Sequence, residues 1–253
     1  MANSIQYFIG NWKMFGIPSS YKIISKINRY FVRDKRNNSK YRIIMAPPNT
    51  LLENFSKNSK KNKIEICAQN CFEKNKYGAH TGFISPYMIK KIGIRHVIIG
   101  HSENRSYGES DTIIKQKVFY ALKNNLTIIF CIGENKQEKK LKKTISVLKR
   151  QLSSALIKKY NYKKIIFAYE PVWSIGSGIV PSTKELSHII IKIKSFIKNK
   201  YKLKFNPKIL YGGSVDKKTI TDFKSIKELD GFLIGGASKS SKNFIDIIKN
   251  FYK

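Results

Sequence analysis

A chain of 253 residues is long for one ordinary domain, yet α/β barrels of this size commonly fold as a single unit. Hydrophobic residues make up 42% of the sequence and charged residues 26%, which excludes an intrinsically disordered chain. No apolar stretch approaches the length of a membrane span, and no secretory signal is visible at the N-terminus. The three cysteines cannot form a disulfide framework. We therefore expect a soluble, cytoplasmic protein without a membrane partner.

The charge balance is unusual, because 49 Lys and Arg residues face 16 Asp and Glu residues, a formal net charge of +33. Such an excess is typical of proteins that bind nucleic acid or another anionic surface. The alternative is compositional drift, which we favour because lysine, isoleucine and asparagine are enriched together along the whole chain. A nucleic-acid-binding protein would concentrate its basic residues in one arm or stripe with interleaved aromatic residues. We expect no specific nucleic-acid partner.

Segment 139–164 is basic and free of acidic residues, yet its apolar residues have the spacing of an amphipathic helix. They recur at intervals of three and four, at Leu141, Ile145, Leu148, Leu152 and Leu156. This spacing predicts a helix with a lysine-rich solvent face. Similar spacing predicts helices around residues 23–31 and 186–197.

Short runs of β-branched and aromatic residues alternate with the helical patterns. They predict eight strands, at residues 7–11, 42–46, 64–68, 96–100, 127–132, 165–169, 208–211 and 231–234. Eight strands, each followed by a helix, indicate a parallel α/β sheet that closes into a (β/α)8 barrel. An open doubly wound sheet is the alternative. Because no linker or change in composition divides the chain, we expect one barrel domain over residues 1–253.

In a (β/α)8 barrel, functional groups gather where the strands end. Polar residues follow the first, fourth and sixth predicted strands at Asn11, Lys13, His101, Glu103 and Glu170. A structural or solvated side chain is the ordinary alternative for each of them. The strand-terminal position favours a functional role, and for Glu170 the following proline restricts the turn. A short helix beginning just after His101 would favour a neutral imidazole.

Paired glycines follow the last two predicted strands, at residues 212–213 and 235–236. Glycine allows backbone N–H groups to approach an anion, and a helix N-terminus behind it adds a favourable dipole. One pair could simply make a tight turn, but two pairs on adjacent strands predict a phosphate site. Segment 173–179 carries two further glycines, which fit either a lid that excludes water or an ordinary surface loop. The spacing of Cys67 and Cys71 does not fit a zinc site, so we expect no metal.

Six motifs occur in order across the whole chain. They are GNWKM at 10–14, GHSE at 100–103, CIGE at 131–134, AYEPVW at 168–173, YGGS at 211–214 and GGAS at 235–238. In order and spacing they resemble the motifs of the triosephosphate isomerase family. The resemblance implies that the chain interconverts dihydroxyacetone phosphate and D-glyceraldehyde 3-phosphate, in glycolysis and gluconeogenesis, without a cofactor or metal.

The resemblance also implies a catalytic role for each matching residue. Glu170 would move a proton between two substrate carbons, while His101 would polarise the carbonyl as a neutral imidazole. The family is itself a standard example of such a tuned pair. Lys13 and Asn11 would hold the substrate oxygens, with Glu103 beside the lysine. A different barrel enzyme acting on phosphorylated sugars would need the glycine pairs but not the lysine, histidine and glutamate together.

The resemblance further implies a phosphate site, a lid and a dimer. The phosphate would bind main-chain groups at Gly176, Ser214, Gly235 and Gly236. The implied lid is segment 173–180, in which Trp173, Ile175, Gly176, Ser177 and Gly178 are the residues singled out. The family is homodimeric, and Thr81 lies in the loop that would reach into the partner's site.

The chain departs from the family pattern in three places. Phe83 and Asn104 stand where a glutamate and an arginine usually pair near the dimer contact. Losing both avoids an unpaired buried charge, which predicts a repacked interface rather than an absent one. At the far hinge of the lid, Ile179 and Pro181 replace a lysine and an alanine. Because proline restricts φ, the sequence does not predict the rate of lid movement. The expected chemistry is unaffected by this replacement.

Overall fold

The computed structural model describes residues 5–36, 39–59 and 63–253, and residues 1–4, 37–38 and 60–62 lie outside the described part. Within it, eight parallel strands pair in chain order, and the last pairs with the first to close a barrel. The strands are β1 (Gln6–Asn11), β2 (Tyr41–Ala46), β3 (Glu65–Ala68), β4 (His96–Ile99), β5 (Thr127–Ile132), β6 (Ile165–Tyr169), β7 (Lys208–Tyr211) and β8 (Gly231–Ile234). The predicted (β/α)8 barrel is confirmed, and each predicted strand boundary agrees within one residue.

Helices lie in the segments between the strands and after β8. In the described ranges they are α1 (Tyr21–Arg33), α2 (Leu52–Ser59), α3 (Pro86–Lys91), α4 (Ser102–Ser106), α5 (Asp111–Lys123), α6 (Lys136–Lys140), α7 (Thr144–Ala155), α8 (Thr183–Tyr201) and α9 (Ser241–Phe251). The segment between β7 and β8 holds a 3-10 turn over Thr219–Ser225 instead of the predicted α-helix. None of the helices formed by described residues is long and apolar enough to cross a membrane.

The prediction of one amphipathic helix within segment 139–164 was wrong, because a turn divides it. Asn135 accepts the Glu138 N–H and donates its own N–H to the Glu138 carboxylate, which caps α6 at its start. After α6, Lys142 adopts a left-handed φ of 55° and Leu141 is exposed. Local capping and this turn therefore override the apolar spacing, and α7 begins only at Thr144.

Alternate strand residues point into and out of the barrel, which divides the core into two layers. The outer layer lies between the strands and the helices. The inner layer fills the barrel with side chains from all eight strands: Ile9, Ile44, Ala46, Cys67, Ile98, Ile129, Cys131, Ile166, Ala168, Leu210 and Leu233. The interior of the barrel is therefore a packed core. The next inward-facing residue along a strand lies at the rim where the strand ends.

We expect Ile98→Ala to lower the free energy of unfolding by about 2–5 kcal/mol, because Ile98 is fully buried in the inner layer and its truncation leaves a cavity. Urea unfolding of both proteins measures the change. Ile191→Ala is the matched control, since Ile191 is exposed on α8 and its loss should cost less than about 0.5 kcal/mol. Equal losses in the two variants would contradict the assignment of the inner layer.

Candidate active site

The inward register of the strands brings several predicted residues to one rim. Asn11, Glu170, Gly212 and Gly235 each follow an inner-layer residue two positions earlier in the chain. Because side-chain direction alternates along a strand, this spacing aims all four positions at the barrel mouth. They line a cavity of about 420 Å³ together with Lys13, His101, Ile175, Gly176, Gly178, Ser214 and Gly236.

His101 lies between the end of β4 and the start of α4, at the N-cap position of that short helix. Its Nδ1 accepts a hydrogen bond from the Glu103 backbone N–H at 3.2 Å. A neutral ring whose Nδ1 accepts must carry its proton on Nε2. Nε2 lies 3.5 Å from Glu170 Oε1. The fold therefore presents an imidazole N–H next to a carboxylate, with both side chains almost fully buried.

Glu170 directly follows β6, and its backbone N–H donates to the Ile132 carbonyl at 2.8 Å. Its Oε2 is buried and has no hydrogen-bond partner among the described residues. Such an unsatisfied oxygen is costly, which points to a partner that binds during function. Gly212 makes room for the carboxylate, since a Cβ at that position would lie 2.6 Å from Glu170 Cγ.

Lys13 is held in a strained conformation at the end of β1, with a left-handed φ of 55°. Its backbone N–H donates to Asn11 Oδ1 at 3.0 Å, and Gln69 Nε2 donates to its carbonyl at 2.9 Å. Its Nζ pairs with Glu103 Oε1 at 2.6 Å. Sequence reasoning missed Gln69, which no motif singles out.

The glycines after β8 are explained by neither packing nor backbone conformation. Neither residue has a positive φ. A Cβ at Gly236 would meet nothing within 4 Å, and at Gly235 the nearest atom would be Lys13 Cε at 3.8 Å. Glycine at these positions instead leaves the main chain open to the cavity, which is what an anion site requires. Lys239, which the sequence interpretation did not include, adds a cation to the lining.

Ser174, which lies within the predicted lid segment, connects that segment to the rim. Its buried hydroxyl lies 2.5 Å from the Ile179 carbonyl, to which it donates, and 2.9 Å from the Tyr211 hydroxyl. Because a serine hydroxyl has one hydrogen, Tyr211 is then the donor in the second bond. Ser174 Oγ also accepts the Ser214 N–H at 3.3 Å.

Ser214 completes this connection from the turn after β7. Its hydroxyl donates to the Ser174 carbonyl at 2.5 Å and accepts the Gly178 N–H at 3.1 Å. Gly176 and Gly178 have φ values of 68° and 75°, which glycine adopts without strain. The predicted lid segment is therefore hydrogen-bonded to the turn after β7, which carries the predicted phosphate-binding residue Ser214.

Glu134 is a second buried carboxylate that the sequence interpretation did not include, although it stands in the CIGE motif directly after a strand. One oxygen accepts the Trp173 indole N–H at 2.8 Å and the Tyr169 hydroxyl at 3.2 Å. The other oxygen is buried without a partner among the described residues. Burial raises the pKa of Glu134, and the two donors oppose this shift. Glu134 thus forms a hydrogen bond with Trp173, the first residue of the predicted lid segment.

Four predicted site residues do not line the cavity. Glu103 contacts Lys13 and His101 from behind, and Trp173 turns its indole towards Glu134. Ser177 caps the Ile179 N–H within the lid. Thr81 is exposed on the loop between β3 and α3.

The three cysteines are buried and unpaired. Burial raises the pKa of each thiol, to about 12 for Cys71, and the nearby Glu170 carboxylate adds to the shift at Cys131. These thiols are therefore protonated and unreactive near neutral pH.

A closed (β/α)8 barrel with a carboxylate, an imidazole and unobstructed glycine main chain beside one cavity at its carboxyl rim is typical of the class of barrel enzymes that act on small phosphorylated substrates. The family model described as Triosephosphate isomerase matches residues 6–251. The chain belongs to the triosephosphate isomerase family. It interconverts dihydroxyacetone phosphate and D-glyceraldehyde 3-phosphate in glycolysis, as the resemblance predicted.

Individual relatives match over almost their full length. Triosephosphate isomerase of Neurospora crassa is 38% identical over 252 residues, covering 96% of this chain and 97% of that protein. The enzyme of Saccharomyces cerevisiae is 36% identical over 249 residues, covering 96% and 98%. The crystal structure of triosephosphate isomerase from Bartonella henselae superimposes with a TM-score of 0.86 at 33% identity, covering 98% of this chain and 99% of that chain.

We expect Glu134→Gln to gain stability relative to the wild type as the pH rises. The raised pKa means that the fold favours the neutral carboxyl, whereas the unfolded chain ionises near its usual value of 4.5. The wild type therefore loses stability from about pH 4.5 upward through the folded pKa, and a glutamine does not. Urea unfolding between pH 4.5 and 8 measures the difference. Glu53→Gln, at an exposed position on α2, is the control, and a pH-independent difference for Glu134→Gln would contradict the pKa shift.

Proposed function

We propose that the rim cavity is the active site and that Glu170 is the base that moves the proton. The observation that carries this proposal is the approach of Glu170 Oε1 to 3.5 Å from His101 Nε2 at the cavity wall. A triose phosphate bound there would place its reacting carbons beside a buried carboxylate that has an unsatisfied oxygen. Glu170 takes a proton from one carbon and returns it to the neighbouring carbon.

His101 acts as the electrophile in this proposal. Because the Glu103 N–H occupies Nδ1, the proton on Nε2 is directed to the substrate oxygens. A neutral imidazole polarises the carbonyl and passes protons between the two oxygens as the enediolate forms and collapses.

Lys13 and Asn11 hold the substrate oxygens and stabilise the negative charge that develops on them. Lys13 brings a cation to the mouth of the barrel, and Glu103 fixes its Nζ at 2.6 Å. Asn11 is buried and fixes the backbone of Lys13 through its side chain. Such preorganised charges stabilise a transition state without reorganisation during the reaction.

The phosphate binds to main-chain groups at Gly176, Ser214, Gly235 and Gly236, which surround one end of the cavity. The lid, held by Ser174 and Ser214, covers this end. Excluding water in this way keeps the enediolate from eliminating its phosphate group. No cofactor or metal takes part in the proposed reaction.

We also propose that the chain functions as a single barrel domain, as a homodimer and in the cytoplasm. Met14 is 98% exposed, Tyr77 77% and Phe83 59%, and all three lie on the loops after β1 and β3. Large exposed apolar side chains mark protein–protein contacts. Thr81 lies in the same part of the chain, where it would reach the partner's site. The cytoplasmic location follows from the glycolytic reaction.

Replacing Glu170 by aspartate tests the assignment of the base. The shorter side chain retracts the carboxylate by one methylene, so we expect kcat to fall about a hundredfold or more while KM changes little. A coupled assay with D-glyceraldehyde 3-phosphate measures both constants. Glu53→Asp is the control, because Glu53 is exposed on α2 and distant in sequence from Glu170; it should leave kcat and KM unchanged. Loss of substrate binding equal to the loss of kcat would argue against Glu170 as the base.

Ser174→Ala tests the connection between the lid and the rim. It removes one donated and two accepted hydrogen bonds, each worth about 1 kcal/mol, so we expect kcat/KM to fall by about 5- to 100-fold. A less secure lid should also let more enediolate eliminate, which a phosphate-release assay run alongside the isomerase assay measures. Ser146→Ala on α7 is the control, because its exposed hydroxyl donates to the Lys143 carbonyl within the same turn and has no other hydrogen-bond partner among the described parts of the chain. An unchanged ratio of phosphate release to isomerisation would refute the role of Ser174.

A further inference from the structure

A second cavity lies at the opposite end of the barrel, where the strands begin. Its volume is about 480 Å³, slightly larger than the rim cavity. Seven residues that line it stand at the first or second position of their strands: Tyr7, Arg42, Glu65, His96, Thr127, Ile166 and Lys208. We call it the basal cavity. The proposed reaction does not use it.

The basal cavity is strongly cationic. Six of its lining side chains are basic, from Arg42, Lys90, Arg95, Lys163, Lys164 and Lys208, and Glu65 is the only carboxylate among them. The rim cavity, by contrast, has two lysines and two carboxylates. Compositional drift raises the number of lysines everywhere, so it does not explain why half of the side chains lining one cavity are cationic.

The six cations have no acidic partners. Among the described residues, none of them forms an ion pair with a carboxylate. Lys208 donates to the Tyr7 hydroxyl at 2.7 Å, and Lys164 donates to the Asn125 carbonyl at 3.3 Å. Burial lowers the pKa of Lys90, and the charges of Lys164 and Arg95 lower it further. The cations therefore repel one another, and a bound anion would remove that repulsion.

His96 provides an independent indication of a ligand. It is 7% exposed, it lines the basal cavity, and its Nδ1 has no hydrogen-bond partner in the described structure. The nearest carboxylate oxygen, Glu65 Oε2, lies 3.6 Å away, beyond hydrogen-bond distance. An unsatisfied buried nitrogen is costly and calls for an explanation such as a ligand.

We propose that the basal cavity binds a small polyphosphate, an anion with two or three linked phosphate groups. The six cations come from β2, α3, β7 and the segments just before β4 and β6, so they surround the cavity from several sides. A ligand must therefore carry charge at more than one position to meet them. The volume lies in the range of small-molecule sites, and the concave shape does not match the extended surface that a nucleic-acid duplex requires.

Calorimetric titration with inorganic triphosphate and, separately, with ATP tests the proposal in magnesium-free buffer at low salt. In the variant Lys90→Gln/Arg95→Gln/Lys164→Gln we expect the affinity for both probes to fall about tenfold or more, because charge-assisted bonds are lost. The matched control is Lys26→Gln/Arg29→Gln/Arg33→Gln, which removes the same charge from the exposed face of α1. Similar affinities of the two probes assign recognition to the phosphate chain, and tighter binding of ATP adds a contribution from the nucleoside.

The imidazole resonances of His96 and His101 show which cavity is occupied. We call Lys90→Gln/Arg95→Gln/Lys164→Gln the basal variant. Triphosphate should shift the His96 signal in the wild type and not in the basal variant, whereas binding at the rim would shift the His101 signal. The basal variant should retain the wild-type kcat, because none of its substitutions touches the rim. If it does not fold, the variant Lys163→Gln/Lys164→Gln, limited to the segment before β6, replaces it.

Three results would overturn the proposal. The first is equal loss of affinity in the basal variant and the α1 control, which would mean unspecific attraction by the net charge. The second is a triphosphate-induced shift of His101 alone. The third is binding of a short DNA duplex that displaces triphosphate and is weakened equally by both triple variants, which would assign the charge to nucleic acid.

Discussion

The active site rests on one geometric constraint, the inward alternation of side chains along strands that close into a barrel. Ile9, Ala168, Leu210 and Leu233 fill the inner layer of the core. The residue two positions further along each of these strands faces the same way and lies at the rim. A polar residue or a glycine there is aimed into the mouth by the packing of the apolar residue below it. Stability and function therefore depend on the same strand register, and a slip of one residue would turn each rim group outward.

Close approaches of the backbone make this rim possible. Gly212 leaves space for the Glu170 side chain, and a Cβ at Gly133 would lie 1.8 Å from the Glu170 carbonyl oxygen. Gly235 and Gly236 are different, because their surroundings would accept a Cβ. Gly212 and Gly133 allow the chain of Glu170 to pack closely at the rim. Gly235 and Gly236 leave the main chain accessible from the cavity. This distinction separates structural from ligand-binding glycines within a single rim.

The two ends of the barrel carry charge in different ways. At the rim, Lys13 is paired with Glu103 and the cations and carboxylates are balanced. At the base, six cations have no carboxylate partner among the described residues, and they line the same cavity as a buried histidine with an unsatisfied nitrogen. The net charge of +33 is thus distributed unevenly over the cavities, although the sequence spreads lysine along the whole chain.

The sequence by itself determined the eight strands, the barrel class and the family, because strand periodicity and the motifs that follow each strand are local signals. It also singled out Glu170, His101 and Lys13, which follow strand ends. The apolar spacing alone did not reveal the turn that divides segment 139–164, which local capping and a left-handed residue produce. Only the tertiary structure decided the contacts of Ser174 with Tyr211 and Ser214 and the burial of Glu134, since these partners lie 35 or more residues away. The basal cavity has the same origin: its cations are scattered along the sequence, and only closure of the barrel brings them together.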